Sequence, residues 1–190
     1  AFVDDDAEPA PDWLERLHDT FVRTPAQAVG GRVEACFEAG APPPWYTDEL
    51  AFAFGILAPR ASPELAPAFQ GRRLDLIGCN MMFRREVFAL AGLFRPELGH
   101  TGDTPGGCEE SELAERIRTA HGEVWYNDRA VVRHRIPAAR ATVEYLLRRS
   151  AQEGRSRAQL LRRTRGWPLV AAWLAGRLLR DLVVNAPAWL

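Results

Sequence analysis

Ala1-Phe2-Val3-Asp4-Asp5-Asp6 opens the chain, and its reading decides the fold. An apolar run feeding straight into three adjacent acids reads as the end of a buried strand. Side chains alternate along a strand, so Asp4 and Asp6 point one way and Asp5 the other. Two hard oxygen donors at the carboxyl edge of a sheet suit Mg²⁺ or Mn²⁺ shared with a diphosphate. The plain alternative is a loop of solvated acids, or a capping cluster ahead of Asp12. A strand seldom starts a domain without a lead-in, so a further N-terminal part is expected before Ala1.

Outward from that stretch, Pro11 followed by Trp13, Leu14, Leu17 and Phe21 predicts a helix from about Asp12 to Arg23. Ala28 to Val33 reads as a short strand interrupted by Gly30-Gly31. Residues 39–70 hold Pro42, Pro43, Pro44, Pro59, Pro63 and Pro67, which predicts a long irregular excursion with one short helix near Glu49 to Phe54, either a lid or a substrate wall. Leu74 to Phe83 is strand-like, and Arg85 to Leu93 is a helix ended near Gly92. In Glu109 to Ala120 the apolar stripe Leu113, Ile117 and Ala120, the pair Glu112 and Arg116, and the stop at Gly122 predict a further helix. Val124 to Tyr126 and Ala130 to Val132 read as short strands.

From Thr142 to Arg165 the residues Val143, Leu146, Leu147, Ala151, Ala158 and Leu161 keep helical spacing, with arginines on the other side. Pro168 opens a last helix with a narrow polar stripe of Gly176, Arg177, Arg180 and Asp181. Its longest uncharged run, Gly166 to Gly176, is well short of the roughly 20 residues that cross a bilayer, so it can lie on a membrane without spanning it. Strands alternating with helices give an α/β class. Residues 1–140 form the main body and residues 141–190 a basic, amphipathic helical extension.

Composition narrows the chemistry. The chain has 190 residues, 47% of them hydrophobic, enough for an ordinary globular core without staples. Cys36, Cys79 and Cys108 are odd in number and lack a C-x-x-C spacing, which reads as reduced thiols in a cytosolic setting and excludes a zinc finger. All 24 basic residues are arginine. Without lysine, neither a P-loop nor a Schiff-base mechanism is available. Residues 1–127 carry 11 arginines against 21 acids, a net of −10, whereas residues 128–190 carry 13 against 4, a net of +9. The acidic part suits cation binding and the basic part suits phosphates or an anionic membrane surface.

Three further places carry candidate chemistry. Glu109-Glu110 opens a helix. There the acids either complement the helix dipole or, on the face shared with Leu113 and Ile117, supply a partly desolvated general base. His134 follows a strand and is either a structural histidine or a metal ligand. Arg148, Arg149, Arg155 and Arg157 either fork onto phosphate oxygens or form a solvated face. Few aromatics lie near them and the chain is slightly acidic, so a nucleic-acid partner is not expected.

Taken together these residues resemble a family. FVDDDAEPAPDWLERL (residues 2–17) resembles the acidic motif and following helix of inverting family 2 glycosyltransferases with the GT-A fold. GCNMMFRREVFALAGLFRPELG (residues 78–99) resembles their central acceptor-side segment, and GGCEESELAERIRTAHGEVWYNDRAVVRH (residues 106–134) their acidic helix, strand and histidine. The resemblance implies a partial GT-A, Rossmann-like mixed sheet flanked by helices. It implies that Asp4 and Asp6 hold Mg²⁺ or Mn²⁺ with His134, and that Asp4, Asp5, Asp6, Gly78 and Asn80 contact a nucleotide-sugar donor. Glu110, where the family usually has Asp, takes the proton of an acceptor hydroxyl with Glu109 beside it. The acceptor is a carbohydrate or lipid-linked, the reaction a single displacement with inversion, and the location cytoplasmic, with peripheral contact at the inner membrane face through residues 167–190. The family's strand-rich opening half is not matched here.

Two other readings stand beside it. A haloacid-dehalogenase-like phosphatase would also use Asp4 and Asp6 after a strand, but Glu8 stands where Thr or Val is wanted and there is no lysine. A non-catalytic module would use the basic helices after Thr142 to contact a membrane surface or partner.

Overall fold

A computed structural model describes residues 1–58, 64–67, 76–99, 107–165, 168, 171–172 and 175–176. The elements are β1 (Ala7–Pro9), α1 (Trp13–Arg23), β2 (Ala26–Phe37), a 3₁₀ turn (Ala51–Phe54), β3 (Leu65–Pro67), β4 (Met81–Phe83), α2 (Val87–Ala91), α3 (Glu109–Thr119), β5 (Glu123–Ile136) and α4 (Val143–Arg165). The expected last helix and the membrane contact through residues 167–190 lie largely outside the described residues, as does the expected strand start at Leu74.

The sheet runs β1-β5-β2-β4, with β3 also on β5. Its centre is the parallel pair β2 and β5, and the pairs β1/β5, β2/β4 and β3/β5 are antiparallel. This is a mixed sheet with helices on both faces, consistent with a partial GT-A fold. Both central strands are longer than their sequence suggests. Gly30-Gly31 does not interrupt β2; a Cβ on Gly31 would stand 2.2 Å from the Ala130 carbonyl oxygen, so only glycine fits where the strands close up. The two short strands expected at Val124 and Ala130 are one strand. Between them the register slips, with Gly31 opposite Asn127 and Arg32 opposite Val131, so residues 128–130 bulge out.

Alternation along β2 divides the core. Ala28 faces Leu113, Ala114 and Ile117 of α3 together with Met81, Phe83 and Val87. Val29 faces Trp13, Leu17 and Phe21 of α1. Further along, Val33 and Phe37 join Phe54, Ile77, Cys79, Tyr126 and Ile136, with Tyr145 of α4 stacked on Phe54 at 5.9 Å. The helices form where their apolar spacing predicts. On α3, however, the buried acid is Glu112, bonded to Arg95 at 2.9 Å and to Arg116 at 2.8 Å, and not one of the two glutamates before it.

One expectation about the start of the chain is corrected. Ala1 to Val3 is not a buried strand end. Phe2 makes a single antiparallel bridge to Met81, and Phe2 and Val3 are 39% and 42% exposed. Asp4, Asp5 and Asp6 lie in a turn closed by the Ala7 N–H on the Asp4 carbonyl at 3.2 Å. Strand alternation therefore does not set their directions.

Candidate active site

The acidic turn leads into β1, and β1 pairs with the end of β5, which brings His134 opposite Ala7. That register is what places a histidine from late in the chain beside the opening acids. His134 Nε2 lies 3.3 Å from Asp6 Oδ1, and the other Asp6 oxygen accepts a hydrogen bond from Arg140 at 2.9 Å. His134 Nδ1 lies 2.9 Å from the Phe54 carbonyl oxygen. Gly55 follows with φ 68, beside the imidazole ring, where a Cβ would stand in ordinary contact at 3.5 Å. The short 3₁₀ turn within the excursion thus packs its end against His134.

A histidine whose Nδ1–H is spent on a backbone carbonyl turns its Nε2 lone pair outward, the arrangement that orients an imidazole toward a metal. Here that lone pair meets a carboxylate, so two acceptors face each other until a proton or a cation lies between them. The chemistry of the donor set, two carboxylates and an imidazole, therefore fits a hard divalent ion. Among the described residues, though, no group of three or more His, Cys, Asp or Glu side chains is gathered closely enough to hold one. Asp6 is instead shared between His134 and Arg140.

Asp4 is pushed above the usual carboxylate range by the protein packed around it and then by Asp6, against the pull of His134 and with a smaller push from Asp5. Asp4 stays open to solvent, so water screens much of this. The sign follows directly. A carboxyl raised on folding favours the folded state only while protonated, so its contribution is lost as pH rises through the folded value. Asp4→Asn is accordingly expected to raise Tm slightly at pH 7 relative to the parent, with the gain gone below pH 4. A thermal melt series across that range checks it.

Gly78 and Cys79 are the middle of a turn closed by the Asn80 N–H on the Ile77 carbonyl at 2.9 Å. Gly78 is partly open, and a Cβ on it would meet nothing within 4 Å. Cys79 is 2% exposed, and burial pushes its thiol up to about 12, with Asp4, Asp6 and Glu110 adding to the rise in that order. Asp4, Asp6 and Glu110 thus all lie near enough to Cys79 to raise its thiol. Glu110, half-buried in the first turn of α3, also acts on Cys108, whose thiol is raised chiefly by burial. Glu109 is half-buried as well, and its Oε2 is shut from solvent without a hydrogen-bond partner among the described residues.

Asn80, expected to contact a donor, is instead a core residue. It is fully buried, accepts from the Trp13 indole N–H at 2.8 Å, and donates to the carbonyls of Arg32 and Ala130 at 2.8 Å each. Its side chain is committed inside the protein. Arg140, the Phe54 carbonyl and Cys79 were not among the residues picked from the sequence. Of these only Arg140 carries any sequence signal, as the lone charge between Ile136 and Glu144.

The α/β sheet thus holds an acidic turn and a histidine side by side at the pairing of β1 with the end of β5. Residues 1–90 match glycosyl transferase family 2. The chain is 33% identical over 159 residues to the glucosyl-dolichyl phosphate glucuronosyltransferase of Haloferax volcanii, which covers 83% of this chain and 49% of that protein. It is 28% identical over 162 residues to the succinoglycan biosynthesis protein ExoM of Rhizobium meliloti, covering 85% of this chain and 47% of that one. Residues 1–90 are thus the part that belongs to glycosyltransferase family 2, and the chain spans about half the length of the curated relatives it matches. No solved structure matches it. Among the described residues no helix is long and apolar enough to cross a membrane.

Proposed function

We propose that this chain carries the acceptor-side part of a glycosyltransferase site that moves a sugar from a nucleoside diphosphate to an acceptor hydroxyl with inversion. The observation that supports the reading is the match of residues 1–90 to glycosyl transferase family 2, in a chain whose Asp4, Asp6 and Glu110 all lie near enough to Cys79 to raise its thiol. In this reading the two groups of carboxylates serve opposite ends of one displacement.

In this scheme Glu110 accepts the proton of the acceptor hydroxyl as its oxygen forms a bond to the anomeric carbon. The bond from that carbon to the diphosphate breaks on the far face, and the leaving group departs with the electron pair. Asp4 and Asp6, with His134 Nε2, would hold Mg²⁺ or Mn²⁺, which when bound supplies neutralising charge to the departing diphosphate. The Phe54 carbonyl orients the His134 ring, and Arg140 holds Asp6 in place. The acceptor is proposed to be a carbohydrate or a lipid-linked saccharide, in line with the printed names of the two relatives.

The test is transfer by the protein that carries this chain, with UDP- and GDP-sugars as donors. Product is expected only with Mn²⁺ or Mg²⁺, with loss on chelation and in Asp6→Asn. Full transfer in the presence of chelator would remove the metal from the scheme, and full transfer by Asp6→Asn would remove the acidic turn.

A further inference from the structure

We infer that the outer face of α4 is a docking surface for an anionic lipid membrane. The inference is independent of the glycosyl-transfer reading. It rests on how α4 (Val143–Arg165) divides its charges between its two sides.

The inner side of α4 is built into the protein. Tyr145 stacks on Phe54, Ser156 and Leu160 are buried, and Glu153 accepts from the Cys108 thiol at 3.4 Å. Two arginines on or beside that side have acidic partners within the fold. Arg149 lies 3.8 Å from Glu153, and Arg163 lies 3.1 Å from Glu97.

The outer side is open to solvent. Arg148, Arg155 and Arg162 recur every seven residues and are exposed, which puts them in one row along the helix. The only acid sharing that row is Glu144, at its first turn. Beside the arginines runs a second row of Leu147, Ala151 and Ala158, with Val143 at its start. Leu147 is 66% exposed and Val143 49%. A row of guanidinium groups next to an apolar strip, both facing away from the core, is the pattern of a helix that lies in a lipid interface. The apolar strip is narrow, so charge complementarity carries most of the attraction. Arg148 also sits over the ring of Tyr145 at 5.8 Å, which holds one end of the row in place.

The orientation has a consequence for the candidate site. The start of α4 packs on the 3₁₀ turn whose Phe54 carbonyl meets His134. A membrane under the outer face would hold the acidic turn at a fixed height above the lipid.

The test is flotation of the full chain with vesicles of phosphatidylcholine alone and of equimolar phosphatidylcholine and phosphatidylglycerol. Binding is expected only to the anionic vesicles and is weakened by added salt. Replacing Arg148, Arg155 and Arg162 together by Gln is expected to weaken partitioning by about 100-fold, at about fivefold per arginine. All three are exposed, so circular dichroism should be unchanged. A control replaces Arg129, Arg133 and Arg135, exposed on β5, by Gln and removes the same charge elsewhere. Retention of binding in the control and loss in the α4 variant supports the inference. It is overturned by equal loss in both variants, by equal binding to neutral vesicles, by retention in the α4 variant, or by no binding of the parent chain.

Discussion

Glu110→Gln is expected to lower kcat for sugar transfer by about 10²- to 10⁴-fold, the usual contribution of a positioned general base, while leaving donor affinity unchanged. Glutamine keeps the size of the side chain and its place in the first turn of α3, but it cannot take up a proton. Donor affinity is the discriminating readout, because in the proposed scheme the diphosphate is served from the acidic turn and the acceptor from α3. Glu110→Asp is expected to retain more activity than Gln, since it keeps the carboxylate and shortens its reach, although misplacement of a reacting group is costly. Glu109 is the natural comparison. Its Oε2 is shut from solvent without a hydrogen-bond partner among the described residues, so Glu109→Gln tests whether that neighbour has a chemical or a packing role. A parent-like rate in Glu110→Gln moves the base assignment to Glu109; a loss of donor binding in Glu110→Gln shows that α3 serves the donor and breaks the division of labour.

The helices were legible because their apolar residues recur at helical spacing and their ends carry ordinary stop signals. Thus α1, α3 and α4 lie within a residue or so of where Trp13, Leu113 and Val143 put them. The central strands were not, because a strand covered on both faces need not alternate. Gly30-Gly31 and Asn127-Asp128-Arg129 read as breaks in sequence. In space the glycines let β2 approach Ala130, while Asn127 donates to Arg16 and Thr20 and Asp128 takes two bonds from Arg32 at 2.6 and 2.8 Å. Polarity that looked like a loop signal is hydrogen bonding inside a bulge. The same holds for the candidate site. Asp4, Asp6, Glu110 and His134 were picked by residue type and motif order. Arg140 and the Phe54 carbonyl depend on β1 pairing with the end of β5, a contact that no local pattern encodes. Asn80 drew a binding role from its place in a motif, and what no local pattern encodes is that its side chain sits beside Gly31 as a bolt in the core.

That bolt sets the largest expected change in stability. Asn80→Ala strands the Trp13 indole N–H and the carbonyls of Arg32 and Ala130 in a fully buried place. Each unpaired buried group costs about 1–3 kcal/mol, and the missing side chain adds a small void. A total loss of about 4 kcal/mol is expected after partial relaxation, a large part of the roughly 5–15 kcal/mol that holds a domain of this kind folded. Urea unfolding should show a lower midpoint with the slope unchanged. Asn80→Asp separates hydrogen bonding from volume. It keeps the acceptor for Trp13 and nearly the same size, but sets a carboxylate oxygen against two carbonyl oxygens, so its loss should match or exceed that of alanine at neutral pH. Gly31→Ala strikes the same joint from the other side, since its Cβ would stand 2.6 Å from the Asn80 amide nitrogen and 2.2 Å from the Ala130 oxygen. Were Asn80→Ala to leave stability within about 0.5 kcal/mol of the parent, as a typical surface change does, and weaken donor binding instead, the side chain would belong to the site after all.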